Sequence, residues 1–230
     1  LYTFTLPLQG GFDGFDYKVE DPLYLANDAG DTNLGVTSLK RAIDTVADPD
    51  YVDINLLAVP GIHHLKVPDH GRNVVNDRMD ALYVMDITGA TPSEAIDGLK
   101  SRALDDNYTA AYYPDVKIDD DVNNRIVRVS PSVAVMGAIA FSDRVSHQWF
   151  APAGLNRAGL SAFNVVSVVD RLKYSDRNDL YDNRINPIAT FPSEGIVVWG
   201  QKTLQVAAWA LDRVNVRRLL IYAKKAVASA

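Results

Sequence analysis

The 230-residue sequence contains no cysteine, and this absence excludes several kinds of chemistry. Without thiols there is no disulfide framework, no thiolate zinc site and no cysteine nucleophile. No stretch approaches the roughly 18 consecutive apolar residues of a transmembrane helix. Residues 1–8 lack the basic start of a signal peptide and alternate like a strand. We therefore expect a fold stabilised by side-chain packing, with no membrane partner.

An excess of basic residues is also lacking. The net charge is −6, whereas general nucleic-acid-binding proteins usually carry a basic excess, so we expect no nucleic-acid partner. The charge is unevenly distributed, because from Gln201 onward six Lys and Arg residues accompany one acid, Asp212. This basic end joins an acidic body, an arrangement suited to an electrostatically oriented partner contact.

Three polar segments could bind a metal or phosphate, but none has the required spacing. His63, His64 and His70, with Asp69 nearby, do not form an H-x-x-x-H pair. The acidic run 119–121, followed by two asparagines, lacks the glycine and terminal glutamate of a calcium loop. The segment PLQGGFDG lacks the lysine ending of a P-loop. We interpret the first as a surface loop and the second as a solvated turn, and we expect no metal and no cofactor.

Asp86 is the strongest candidate for catalysis, because it follows an apolar run at the predicted carboxyl end of a strand. The structural alternative is an Asx turn or a cap at the strand end. No partner motif accompanies Asp86, and none of the serines at 132, 146 and 193 lies in a G-x-S-x-G elbow. We expect a protein that is not an enzyme and has no catalytic residue. An α/β hydrolase-like or small-ligand-binding domain using Asp86 and the 61–70 loop stays open as the alternative.

From Tyr51 onward, apolar runs alternate with helical patterns, which predicts an α/β fold with a mostly parallel or mixed sheet and covering helices. Thr91, Pro92 and Glu94 form a helix-start signal of the capping-box kind. Strands are predicted near residues 52–60, 81–86, 110–113, 126–129, 163–169 and 195–199. Helices are predicted near residues 37–46, 91–103, 131–143, 177–181, 207–211 and 216–228, with a turn before Pro187.

Three stretches of the second half resemble the tail sheath family of contractile phages and related injection systems. The first is PSVAVMGAIAFSDRVSHQWFAPAG, with a helix that begins at proline, an Asp-Arg turn and an Ala-Pro-Ala-Gly loop. The second is LYDNRINPIATFPSEGIVVWGQKTL, and the third is NVRRLL. PLQGGFDG is a weaker match. The positions interpreted as a scaffold motif are Pro152, Gly154, Asn186, Pro187, Trp199 and Gly200.

The resemblance implies a sheath-protein core in three regions: a Gly/Asp-rich segment 1–50, an α/β region 51–130, and a truncated family-type C-terminal core region 131–230. It implies a structural subunit that polymerises around an inner tail tube and contracts to drive it through the host envelope. The implied partners are other sheath subunits in a helical stack of rings, the inner tail tube protein, and baseplate and tail terminator proteins. The implied location is the phage tail of the virion, after assembly in the host cytoplasm. Because the family's linking arms are not recognised here, we expect the isolated chain to be largely monomeric.

The last predicted helix is the candidate functional surface. At about 100° per residue, its basic residues form one arc and its apolar residues most of the remainder. An ordinary amphipathic surface helix would show the same pattern. The resemblance instead implies that the basic arc faces an acidic tube. The predicted tube-contact residues are Arg213, Arg217, Arg218, Lys224 and Lys225, and the predicted packing residues are Val216, Leu219, Leu220, Ala223 and Val227.

Overall fold

A computed structural model describes residues 34–62 and 64–228; the PLQGGFDG motif and His63 lie outside them. The first half contains α1 (Leu34–Asp44), β1 (Leu56–Ala58), α2 (Lys66–Arg78), β2 (Leu82–Asp86), α3 (Pro92–Ser101), β3 (Thr109–Tyr113), β4 (Val116–Asp120) and β5 (Arg125–Val129). The second half contains α4 (Pro131–Val145), β6 (Val165–Val168), α5 (Tyr174–Asp182), β7 (Ile185–Phe191), β8 (Gly195–Val198) and α6 (Val214–Ala228).

The main sheet has five strands in the order β1-β2-β3-β7-β8. Neighbouring strands from β1 to β7 run parallel, and β8 returns antiparallel to β7. The predicted α/β fold with a mostly parallel sheet is therefore confirmed. Strands from regions 51–130 and 131–230 share this sheet, so residue 130 does not separate two structural units.

Helices cover both faces of the sheet, which explains why its central strands are apolar throughout rather than alternating. In β2, Leu82 and Val84 pack into one core with residues of α4 and α6, including Ile139 and Ile221. Residues of opposite orientation, such as Tyr83, pack into a second core with α2, α3 and α5. Because α4 and α6 share one core, the first and third of the family-like stretches, which contain these two helices, lie on the same side of the sheet.

A third, smaller core joins α1 to α2, and Leu57 of β1 packs against it. Next to it, the side chain of Arg78 is only 1% exposed. Its guanidinium donates to the Asp80 carboxylate at 2.8 and 2.9 Å and to the carbonyl of Val52 at 2.8 Å. It also donates to the carbonyl of Val46. This one side chain therefore ties the end of α2 to the connection that follows α1.

A second, antiparallel sheet has the order β5-β4-β6. The interpretation of 119–121 as a solvated turn is wrong for two of its residues, because Asp119 and Asp120 lie in β4 and pair with β5. The turn itself begins at residue 121, and the Asp120 carboxylate accepts from the backbone N–H of Asn123 at 3.2 Å. The strand was missed because its outward side carries charged residues, which are depleted in strands generally.

One further local prediction is wrong. Residues 207–211 do not form a helix; the structure has only a short 3-10 turn, Ala210–Asp212. The predicted turn lies at residues 183–184, and Pro187 itself lies inside β7 at the last pair of the β3–β7 ladder, opposite Tyr113. The Pro187 carbonyl accepts from the N–H of Trp199 at 2.9 Å. The only backbone group through which a proline can hydrogen-bond is therefore satisfied. Within the described residues, no helix combines the length and hydrophobicity needed to cross a bilayer.

Candidate functional site

The closing helix α6 is fixed to the body at both ends. At its start, the N–H of Val214 donates to the carbonyl of Gln201 at 2.9 Å, and the Val214 side chain is fully buried. Near its end, Lys225 donates to the carbonyl of Ile54 at 2.6 Å and to the side-chain oxygen of Asn55 at 2.9 Å. The outward direction of each α6 side chain is therefore set by the fold.

Arg217 and Arg218 point into the molecule, so their prediction as tube-contact residues is wrong. Arg218 is 4% exposed and forms two parallel hydrogen bonds, at 2.8 and 2.5 Å, with the Asp143 carboxylate near the end of α4. Arg217 is 6% exposed; its guanidinium donates to Asn107 and stacks 4.0 Å over the Tyr108 ring. Burial lowers the pKa of Arg217 from its usual range. Both side chains hold α6 against the body.

The other three predicted tube-contact residues differ in exposure. Arg213 donates to the Tyr181 hydroxyl and lies 3.0 Å from the Asp212 carboxylate, with 40% of its side chain exposed. Lys225 is bonded to the segment before β1, as described above. Lys224 is exposed, and its ammonium lies 3.3 Å from the carbonyl of Met79. The five basic residues therefore do not form one solvent-facing arc.

The apolar arc of α6 faces outward instead, which contradicts its prediction as the packing side. Leu219 and Leu220 are 40% and 45% exposed, and Val227 is 78% exposed. The orientation follows from the partners of the guanidinium groups, because Asp143 and Asn107 belong to the body beneath α6 and are both only partly exposed. Those partners lie 75 and 110 positions away in the chain, so helical periodicity alone could not identify them.

The scaffold motif has a specific packing explanation at Asn186 and Gly200. The Asn186 side chain, fully buried, donates to the carbonyl of Lys202 at 2.7 Å and accepts from its N–H at 2.6 Å. The amide thus satisfies two backbone groups of the segment that passes it. A Cβ atom at Gly200 would lie 2.7 Å from the Asn186 oxygen, so only glycine allows this close approach.

The Ala-Pro-Ala-Gly loop covers the outer edge of the sheet. Gly154 has a φ of +88° and its N–H donates to the carbonyl of Val198 at 2.8 Å. The N–H of Leu160 donates to Ile196 in the same way, and Pro152 is buried. Exposed strand edges invite pairing with other chains, and residues 154–160 occupy this one. Trp199 is 44% exposed and contacts the Phe191 ring at 4.8 Å.

Asp86 caps α4 rather than facing an active site. Its two carboxylate oxygens accept from the N–H and the hydroxyl of Ser132, both at 2.7 Å, at the first turn of α4. Burial raises the pKa of Asp86 to about 7; the hydrogen bonds from Ser132 and Ser130 oppose that rise, and the charge of Asp115 adds to it. These contacts favour the structural alternative, a cap at the strand end.

The described residues of the 61–70 segment, which exclude His63, form no ligand-sized pocket with Asp86. Leu65 and Pro68 border a cavity with Asp86 of only about 70 Å³, well below the roughly 300 Å³ of ligand pockets. His70 contacts Asp44 at 2.6 Å, and Asp69 pairs with Arg102. Across residues 34–62 and 64–228, no group of three or more His, Asp or Glu residues could hold a metal. The serines at 146 and 193 lie at the end of α4 and in the β7–β8 turn.

Asp86→Asn is expected to flatten the pH dependence of stability. The folded chain holds a proton on Asp86 up to about pH 7, whereas the unfolded chain releases it near pH 4. The free energy of unfolding therefore falls as the pH rises through this range. Between pH 5.5 and 7.5 the wild type should lose on the order of 2 kcal/mol more than Asp86→Asn, which keeps both contacts with Ser132. Urea unfolding at the two pH values measures this, and equal slopes for both proteins would contradict it.

Comparison with known proteins identifies relatives of one kind, although no protein-family model matches the chain. The tail sheath protein of Enterobacteria phage T4 is 30% identical over 213 residues, which cover 82% of this chain and 32% of that protein. The tail sheath protein of Vibrio phage KVP40 is 37% identical over 127 residues, 55% of this chain and 18% of that protein. The chain thus spans a third or less of these curated relatives. They confirm the resemblance predicted from residues 131–220.

Solved structures show the same fold. The PVC sheath complex of an extracellular contractile injection system, in its contracted state, matches with a TM-score of 0.65 and 23% identity over 84% of this chain and 50% of that chain. The helical sheath of the anti-feeding prophage, also contracted, matches with a TM-score of 0.59 and 25% identity over 86% of this chain and 51% of that chain.

Proposed function

Because the chain is similar to tail sheath proteins over 82% of its length, we propose that it is the folded core of a contractile tail sheath subunit. The subunit polymerises around an inner tail tube and contracts to drive the tube through the host envelope. Its partners are other copies of itself, the tube protein, and baseplate and tail terminator proteins. It assembles in the host cytoplasm and is carried in the virion tail. The 213-residue match to the phage T4 protein is the observation that carries this proposal.

The internal contacts of the chain support a structural role. The polar groups that sequence patterns single out are engaged in holding elements together: Asp86 caps α4, Arg218 joins α6 to α4, and Asn186 joins β7 to the segment after β8. Such a cross-linked body moves as a unit. A sheath whose subunits rearrange as rigid bodies during contraction requires this property, since the stroke then changes packing between subunits rather than within them.

Electron microscopy of the complete gene product, produced with and without its tube protein, tests the proposal. We expect sheathed tubes in the first case, and in the second either empty sheath-like tubes or dispersed subunits. Particles that never form a sheath in the presence of tubes would overturn the proposed function. A point variant such as Lys117→Glu, on the exposed side of β4, serves as a control for surface charge changes.

Of the five predicted tube-contact residues, Lys224 and Arg213 have the most exposed side chains. We therefore restrict the proposed tube contact to these two residues. Lys224→Glu is expected to leave the fold intact, because the side chain is exposed. Each subunit loses about 1 kcal/mol of attraction to an acidic tube. Because every ring repeats that loss, the fraction of tubes covered by sheath should fall close to zero. Counting covered tubes by microscopy measures this, and coverage equal to that of Lys117→Glu would show that Lys224 does not face the tube.

A further inference from the structure

The outward side of α6 carries apolar residues at the spacing of a helix–helix contact. Val216, Leu220, Ala223 and Val227 are separated by four, three and four positions, which is the a/d repeat of a coiled-coil seam. We call these four residues the α6 seam. Leu220 is 45% exposed and Val227 is 78% exposed. Surface helices normally turn charged residues outward and apolar residues inward, so this arrangement is the reverse of the usual one.

The borders of the α6 seam indicate what it would accept. On one side of the seam the Tyr222 and Trp149 rings are in contact, with their centroids 5.2 Å apart. The Trp149 ring in turn stacks on the His147 ring, with a centroid distance of 4.6 Å. On another side Leu219 adds further aliphatic surface and is 40% exposed. At the centre, the small side chain of Ala223 leaves room for close approach. Uncharged aliphatic knobs around a small residue suit the apolar side of another helix.

A second copy of α6 is too small a partner to cover the α6 seam stably. The helix has 15 residues and its seam spans fewer than two heptads, whereas coiled-coil pairing is sustained over about three to four. Stable interfaces bury about 1,200 Å² or more, which one short helix pair does not reach. A helix of the same polypeptide is already held near α6 and loses less translational freedom when it docks. It is therefore a more stable partner for the α6 seam than a second copy of α6.

Sheath polypeptides contain ample chain to supply such a helix. The 230 residues match 32% of the phage T4 sheath protein and 50% of a solved sheath chain. We propose that the α6 seam is the docking surface for an amphipathic helix from the part of the sheath polypeptide that these residues do not include, packed within the same subunit. The inference rests on the proposed function for the identity of the polypeptide, and on the exposed seam for the position and chemistry of the contact.

Cysteine labelling tests this directly, because these 230 residues contain no cysteine, and any cysteine elsewhere in the complete subunit is first replaced by serine. Ala223→Cys places one thiol at the centre of the α6 seam. Its rate of reaction with a maleimide is measured in the 230-residue chain and in the unassembled subunit made from the complete gene. We expect labelling at least tenfold slower in the complete subunit. Val122→Cys, at a position 92% exposed in the β4–β5 turn, should react at the same rate in both.

Equal labelling of Ala223→Cys in the two unassembled proteins would overturn the proposal. Protection that appears only after sheath assembly would also overturn it, since a neighbouring subunit would then be the occupant. A second variant, Leu220→Ser, should lower the melting temperature of the complete subunit but not that of the 230-residue chain, and an equal effect on both counts against the proposal. These measurements use unassembled subunits, so they can be interpreted even if no sheath forms. A failure of this inference can therefore be distinguished from a failure of the proposed function.

Discussion

Arg218→Glu is expected to unfold the protein rather than to weaken a partner contact. The Arg218 side chain is 4% exposed, and its two hydrogen bonds to Asp143 would be replaced by two carboxylates facing each other at the partly buried contact between α4 and α6. Removing one partner of a buried pair already costs about 3 to 5 kcal/mol, and a like charge costs more. Domains of this size are stable by about 5 to 15 kcal/mol, so a large share of that stability would be lost. Urea unfolding followed by circular dichroism measures the loss.

A paired substitution distinguishes a structural role from a surface role. Arg218→Met combined with Asp143→Leu removes both charges and should recover much of the stability lost by Arg218→Met alone. Lys224→Glu provides the comparison on the exposed side of the same helix, where stability should change by less than about 0.5 kcal/mol. A folded Arg218→Glu protein with wild-type stability would show that the guanidinium is not needed inside the fold.

Arg78→Met is expected to cost about 3 to 5 kcal/mol, the second large effect. The methionine fills much of the volume but leaves the Asp80 carboxylate and the carbonyls of Val46 and Val52 without their donor. The loss should be concentrated in the connection after α1, which becomes sensitive to proteolysis before the rest of the chain unfolds. Arg41→Met, on the exposed side of α1, is the matched control. Free energies of unfolding in urea that agree within about 0.5 kcal/mol for the two variants would contradict the assignment.

The elements that sequence patterns predicted well are those governed by local rules. Thr91 accepts from the N–H of Glu94 at 3.3 Å, as a helix cap should. The Glu94 carboxylate accepts a hydrogen bond from the N–H of Ala90 at 2.9 Å rather than from that of Thr91, a variation that the capping pattern does not specify. The β2 strand was likewise recognisable from its apolar run, because burial on both faces leaves no polar position to confuse the pattern.

The orientation of α6 could not be predicted, because it depends on distant partners. A helical wheel assigns a basic arc and an apolar arc but does not say which one faces the core. An arginine side chain can be buried when its aliphatic stem packs against apolar residues and a carboxylate or amide oxygen accepts hydrogen bonds from its guanidinium. Asp143 and Asn107 provide those acceptors, and neither is marked by a motif that connects it to α6. Burial of Arg217 and Arg218 therefore follows from tertiary structure alone.

The covered edge of the main sheet limits how copies of the chain can pair with one another before assembly. One edge is occupied by residues 154–160, and the opposite edge strand, β1, is only three residues long. Within the part of the chain that the structure describes, neither edge of the main sheet offers a long free ladder on which copies could stack. For the sheath subunit proposed above, we expect copies to stay dispersed as their concentration rises. A growing tube, rather than crowding of the subunits, would then set the moment at which polymerisation begins.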